Sequence, residues 1–210
     1  VVAEERFTVF LISPANLGGQ RAKLVFNPEA DFEVARRLRS SEGAPLGEVF
    51  AFVSGLYFRG KKTYAEVFGR PPPSLSSGGL VISPSEGLRH LQEHVTRERL
   101  LAWAEVSIDG GNPRFTGPLV EQAVAMERVH GARTRFVLLG SVATDKYVGP
   151  LTKVLGERLL FPVDFVGRGD MSRGALLLQA ARTGIELAYA PVETAVRRGP
   201  RAPGIRAPQA

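Results

Sequence analysis

Apolar runs ended by Ser-Pro, Gly-Gly or proline-rich stretches alternate along this chain with segments of helical spacing. The first run, FTVFLI from Phe7 to Ile12, is continuous and stops at Ser13-Pro14, as expected for a strand covered on both faces. SPANLGGQRAKLVF follows, and its proline, asparagine and paired glycines predict a loop. Asn27-Pro28-Glu29 has the form of a helix start, and Phe32, Ala35, Arg36 and Leu38 continue that helix to Arg39. GEVFAFVSG, Gly47 to Gly55, reads as a second strand. LYFRGKKTYAEVFG then spaces Tyr57, Phe58, Tyr64, Ala65 and Phe68 on one helix face, closed by Gly69. RPPPSLSSGG predicts a surface loop.

Further along, GLVIS (Gly79 to Ser83) predicts a third strand, and Glu86 to Val106 carries a helical pattern. DGGNPRFTGP breaks that pattern, and Pro118 to His130 is another helix. RFVLLGS (Arg135 to Ser141) and RLLFP predict strands, Tyr147 to Leu155 and Met171 to Arg182 predict helices, and IELAYAP predicts a last strand. The alternation points to a single α/β domain over residues 1–196, with a mainly parallel sheet flanked by helices and a ligand crevice at the strand carboxyl ends. Residues 197–210 are expected to form a flexible Arg/Pro-rich tail. No internal repeat is evident.

Composition agrees with a globular domain: 210 residues, 44% hydrophobic and 23% charged. With no cysteine, disulfides, thiolate metal sites and a cysteine nucleophile are excluded. No apolar run approaches the roughly 18–20 residues of a membrane helix, and acids precede the first apolar run where a signal peptide would be basic. A cytoplasmic protein with no membrane partner is expected. The formal charge of +6 falls to +2 once Arg197, Arg198, Arg201 and Arg206 of the acid-free tail are set aside. Attraction to polyanions is thus concentrated in that arm, which serves either phosphate contact or solubility.

Candidate chemistry gathers at the predicted strand ends. ISPAN, VSGLY, ISPSEG and LGSVATDKY each carry a small hydroxyl residue, so Ser13, Ser54, Ser83 and Ser141 would share one rim. GRGDMSRG places Gly167, Arg168, Gly169, Ser172 and Arg173 before an aliphatic helix, with Asp170 or Ser172 as its cap. Free backbone N–H groups and two arginines suit an anion there, although neither a Walker A loop nor a dinucleotide fingerprint is present. HLQEH matches H-x-x-E-H, which on a helix would set His90 and His94 on zinc with Glu93 as base; the competing reading is a solvated helix face.

FLISPAN, GEVFAFVSGLYF and LGSVATDKYV together resemble the ordered motifs of the YaaA family of peroxide-stress proteins. VISPSEGL and GRGDMSRGALLL are similar to segments of related small bacterial and phage α/β domains. The similarity runs in order over most of residues 7 to 185. It implies an α/β domain tied to DNA and nucleotide metabolism, with DNA binding as a family property. Carried over by motif, Ser13, Pro14, Ser54, Gly55, Tyr57 and Ser83 would surround the site, with Gly87, Ser141, Asp145, Tyr147 and the Gly167 to Arg173 loop. Asn16 stands where that family has lysine, and Asp145-Lys146-Tyr147 departs from an acid directly before tyrosine.

The expected function is therefore a nucleic-acid- or nucleotide-related pocket for a nucleobase and phosphate. Tyr57 or Phe58 would stack on the base, Arg168 and Arg173 would meet phosphate, and Asp145 would be the general acid/base, for instance at an N-glycosidic bond. No cofactor is implied. The alternatives are a non-catalytic DNA-binding stress-response protein and, through His90, Glu93 and His94, a zinc hydrolase.

Overall fold

In the computed structural model, which describes residues 6–202, the first apolar run forms strand β1 (Phe7–Ile12) in the interior of the sheet. Helices α1 (Gln20–Phe26) and α2 (Glu33–Arg39) follow, then the short strand β2 (Ala44–Pro45) and the helix pair α3 (Leu46–Ser54) and α4 (Leu56–Phe68). Next come β3 (Gly79–Ile82), β4 (Leu88–His90), β5 (His94–Val95), α5 (Arg97–Ala104) and α6 (Pro113–His130). Strand β6 (Thr134–Leu139), α7 (Asp145–Leu155), β7 (Leu159–Pro162), α8 (Asp170–Thr183) and β8 (Tyr189–Pro191) complete the order.

Six strands form one sheet in the order β4-β3-β1-β6-β7-β8. The pairs β1–β3, β1–β6 and β6–β7 are parallel, while β4 and β8 lie antiparallel at the edges. A second, two-stranded sheet joins β2 to β5. The chain is thus a single α/β domain with a mainly parallel sheet. Strand alternation sorts the core into two layers. Phe10, Ile12, Val81, Val137 and Leu139 pack with α3, α4, α5 and α8 on one face, and Val9, Leu11, Leu80, Phe136 and Leu138 pack with α6 and α7 on the other. Both faces are covered, which is why the strands read as unbroken apolar runs.

Several local expectations are corrected. GEVFAFVSG is helix α3, not a strand. Val49, Phe50 and Val53 favour extended structure in isolation, but here they bury against the sheet layer, and the Phe50 ring meets Phe58 edge-on at 5.4 Å. The expected loop after β1 contains helix α1, which buries Ala22 and Val25. The helix expected at Asn27 starts at Glu33. The stretch from Glu86 is not continuously helical: it forms β4 and β5 before α5 begins at Arg97. Helix α6 starts at Pro113, on an Asn112 cap whose side chain accepts from the Arg114 N–H.

Two backbone features set how α3, α4 and α8 pack together. Gly55, at φ +62°, ends α3 and starts α4, a left-handed turn that L side chains resist. Helix α4 then crosses α8 with backbone almost on backbone. A Cβ on Gly60 would lie 2.7 Å from the Gly174 carbonyl oxygen, and one on Gly174 would lie 2.8 Å from the Tyr57 Cα.

Of the expected tail, residues 203–210 lie outside the described residues, and residues 197–202 are bound to the domain. Arg197 donates to Asp145 Oδ1 at 3.2 Å, Arg198 donates twice to the Ala143 carbonyl, and the Ala202 N–H donates to the Gly167 carbonyl at 3.0 Å. Among the described residues no helix is long and apolar enough to cross a membrane.

Candidate functional site

Strand β1 lies where the connections turn to opposite sides, with β3 on one flank and β6 on the other. In open parallel sheets this switch point leaves a crevice beyond the strand carboxyl ends. A cavity of about 440 Å³ occupies that position, within the range of small-molecule sites. Ser13, Asn16 and Gly18 enter it from the turn after β1, Ser54 and Tyr57 from the α3–α4 junction, and Ser141, Lys146 and Tyr147 from the β6–α7 segment. Pro84, Trp103, Val106 and Ile108 form another wall, and Asp170 reaches the rim from the first turn of α8.

Ser13, Asn16, Ser54, Tyr57, Ser141 and Tyr147 therefore converge as expected. Ser54 does so from a helix end, not from a strand end. Ser83 does not line the cavity. It is fully buried, its Oγ accepts from the Glu86 N–H at 2.9 Å, and its own N–H donates to the Gly87 carbonyl at 2.7 Å. That serine closes a turn, and its neighbour Pro84 faces the cavity.

Of the Gly167 to Arg173 segment, only Asp170 contributes to the cavity lining. Arg173 is buried, and its Nε and Nη2 donate to the Phe165 carbonyl at 3.2 and 3.1 Å. Arg168 donates to Ser172 Oγ at 3.2 Å, and Gly169 is the cap residue of α8, with neither Asp170 nor Ser172 closing the cap through its side chain. Gly167, at φ +70°, lies under the 200–202 segment; a Cβ there would run into the Pro200 carbonyl oxygen. Neither arginine side chain lines the cavity: Arg168 turns to Ser172, and Arg173 to the Phe165 carbonyl and to Asp170, 3.7 Å away. Asp145 also stands outside. It is exposed in the first turn of α7, pairs with Arg197, and borders a separate shallow hollow with Ile108, Asp109, Gly110, Gly111, Thr144 and Lys146.

The H-x-x-E-H match lacks the helix it needs. His90 ends β4, His94 begins β5, and Glu93 is held by Arg99 at 2.6 Å. Among the described residues no group of three or more His, Asp or Glu side chains converges as metal ligands would.

At the base of the cavity lies a residue that pattern reading passed over. Lys61 of α4 is 1% exposed, and its Nζ donates to the Ser13 carbonyl at 2.6 Å and to Ser13 Oγ at 2.9 Å. The same nitrogen sits 4.3 Å from the Tyr57 ring centroid and 5.1 Å from that of Phe58. Burial pushes its ammonium down from 10.5 to about 7; Asp170 opposes that shift, while Arg173 and Lys146 add to it. The signal was available. Lys61 falls four residues after Tyr57 and three before Tyr64, on the apolar stripe of its own helix, where a lysine is out of pattern. Burial also pushes the Tyr57 and Tyr147 phenols above the usual tyrosine range. Both stay neutral and donor-capable through physiological pH.

Trp103 is fixed as a wall by a charged cluster. Its Nε1 donates to Glu86 Oε1 at 2.8 Å, and Glu86 is clasped by Arg99, whose guanidinium lies 5.2 Å from the indole centroid. The Arg99 hydrogen bonds hold the Glu86 carboxyl below the usual range, against a smaller opposing effect of burial. Set against known protein families, curated proteins and solved structures, the chain matches none.

Proposed function

We propose that the cavity beyond β1 and β6 binds a small nucleotide-class ligand, and that the protein acts in nucleotide or nucleic-acid processing. One observation carries this reading. Rings from Tyr57, Tyr147 and Trp103, hydroxyls from Ser13, Ser54 and Ser141, and the amines of Lys61 and Lys146 meet around a single hollow. Aromatic walls suit a base, and an amine at the mouth suits a phosphate or carboxylate. The phosphate role expected of Arg168 and Arg173 passes to Lys146, and the carboxylate nearest a bound ligand is Asp170 in place of Asp145. The proposal agrees with what the YaaA-like motifs imply.

Calorimetric titration with a nucleoside 5′-monophosphate, the matching nucleoside, inorganic phosphate and a DNA duplex tests it. The monophosphate is expected to bind best, and Lys146→Ala to weaken it by about tenfold while leaving the nucleoside unaffected. Equal weakening of both removes the phosphate role. Tightest binding by the duplex, with a steep salt dependence, favours the DNA-binding alternative instead.

A further inference from the structure

We infer that Ser13 and Lys61 form a nucleophile–base pair, and that this protein cleaves an ester or amide bond in a small molecule through an acyl-serine. The inference shares the hollow with the ligand proposed above but does not require that ligand to be a nucleotide. It stands on geometry. Ser13 Oγ and Lys61 Nζ are 2.9 Å apart, within the reach that joins an activated hydroxyl to its base. The Ser13 carbonyl, 2.6 Å from the same nitrogen, orients the amine as a third group must. Both residues border the cavity, where a substrate carbonyl can meet the hydroxyl. Serine–lysine pairs perform this chemistry without histidine on unrelated folds.

Burial supports the assignment, because an ammonium brought to about 7 spends much of its time as a free amine at neutral pH. The charges that act on it lie on two neighbouring helices, Asp170 and Arg173 on α8 and Lys146 on α7, with the Tyr57 ring of its own helix 4.3 Å from the nitrogen. An ordinary structural lysine would sit with its nitrogen at the surface and its stem along the helix. Here the nitrogen is the buried end.

The steps balance with water as the only co-reactant. Neutral Lys61 accepts the Ser13 hydroxyl proton as Oγ bonds to the acyl carbon and the carbonyl electron pair moves to oxygen. That pair returns as the bond to the leaving alkoxide or amine breaks, and the leaving group takes the proton from the Lys61 ammonium. Water then attacks the acyl-serine, giving a proton to Lys61 that passes to Ser13 Oγ as the acid departs. The products are a carboxylic acid and an alcohol or amine. The cavity volume restricts the substrate to a small molecule, and Lys146 at the mouth favours one that carries a negative group.

The test uses the full chain with a fluorophosphonate probe and with p-nitrophenyl acetate, followed by peptide mapping of the modified residue. A phosphonyl or acetyl adduct is expected on Ser13 and lost in Ser13→Ala, which keeps the backbone carbonyl that anchors Lys61. The wild-type modification rate should rise with pH through about 7 and level off above it. Lys61→Met and Lys61→Arg should each lower it by on the order of 100-fold; arginine retains a hydrogen-bonding cation but cannot act as base. No adduct from either probe, an adduct elsewhere, or a rate at Ser13 that is flat with pH between about 5.5 and 8.5 overturns the inference. The pH profile needs no variant, so a misfolded Lys61 substitution does not blunt the test. Nucleotide titration of Ser13→Ala reports separately on the ligand proposal.

Discussion

Replacing Lys61 with methionine keeps most of the side-chain volume and removes the buried amine. In the folded protein the ammonium loses its proton near pH 7, against 10.5 when solvated. At about 1.36 kcal/mol per pH unit, that gap is a penalty on the folded state of roughly 5 kcal/mol at low pH. The variant escapes the penalty but leaves the buried Ser13 carbonyl and hydroxyl without their donor, at a cost of about 1–3 kcal/mol. A net gain of roughly 2–4 kcal/mol is therefore expected for Lys61→Met at pH 6. The sign of the pH dependence follows from proton counting. Between about 7 and 10.5 Lys61 holds its proton in the unfolded chain and not in the folded one, so its contribution to wild-type stability rises with pH in that window and stays level below it. The advantage of the variant should shrink by up to about 1.4 kcal/mol per pH unit and reverse near the top of the window. Urea unfolding of both proteins in steps of pH measures this as a difference, which cancels groups common to the two. A stability difference that stays constant from pH 7 to 10, or a wild type more stable than the variant at pH 6, would refute the claim that Lys61 is buried at the expense of its charge.

Other expectations follow from named contacts. Gly60→Ala places a methyl against the Gly174 carbonyl and should lower stability by roughly 1–3 kcal/mol in thermal melts. Glu86→Gln weakens the clasp on the only tryptophan; a loss of roughly 1–2 kcal/mol and a red-shifted emission are expected. Because Arg99 holds the Glu86 carboxyl below its usual 4.5, its contribution is complete above that value and is lost as pH falls through the lower folded one. The Trp103 emission should shift in that acid range in wild type, and the shift should be absent in the glutamine variant. Gly167→Ala, at a left-handed position beneath Pro200, should displace the 200–202 segment at a cost of roughly 1–2 kcal/mol. Faster amide exchange at Ala202 would report it.

The parallel strands were legible because burial on both faces leaves an unbroken apolar run, as in FTVFLI and RFVLL. The same rule misled at GEVFAFVSG. A short helix pressed between a sheet and a neighbouring helix is apolar nearly all round, and over nine residues its pattern is not distinguishable from a buried strand. Strands β4 and β5 span only three and two residues, too short for any period. In the site, the positions of the serines after β1 and β6 were legible from strand-end chemistry, whereas Ser54 reaches the same cavity by another route, from a helix end at the Gly55 turn. The Gly167 to Arg173 motif misled because composition cannot say whether an arginine faces outward or back to a carbonyl such as that of Phe165. Lys61 was hidden by the habit of assigning lysine to the surface face of a helix.

The crossing of α4 and α8 at Gly60 and Gly174 has a consequence for how this pocket can be altered. With no side chain between the two backbones, the spacing of the helices is fixed at the minimum that matter allows, and it acts as a gauge block beneath Tyr57 and Lys61. Depth is thereby decoupled from the mouth. Substitutions at Asn16 would change the lining without touching the paired serine and lysine, those at Lys146 or Asp170 would change the charge Lys61 feels and not its place, and a single methyl at the crossing would shift both residues at once.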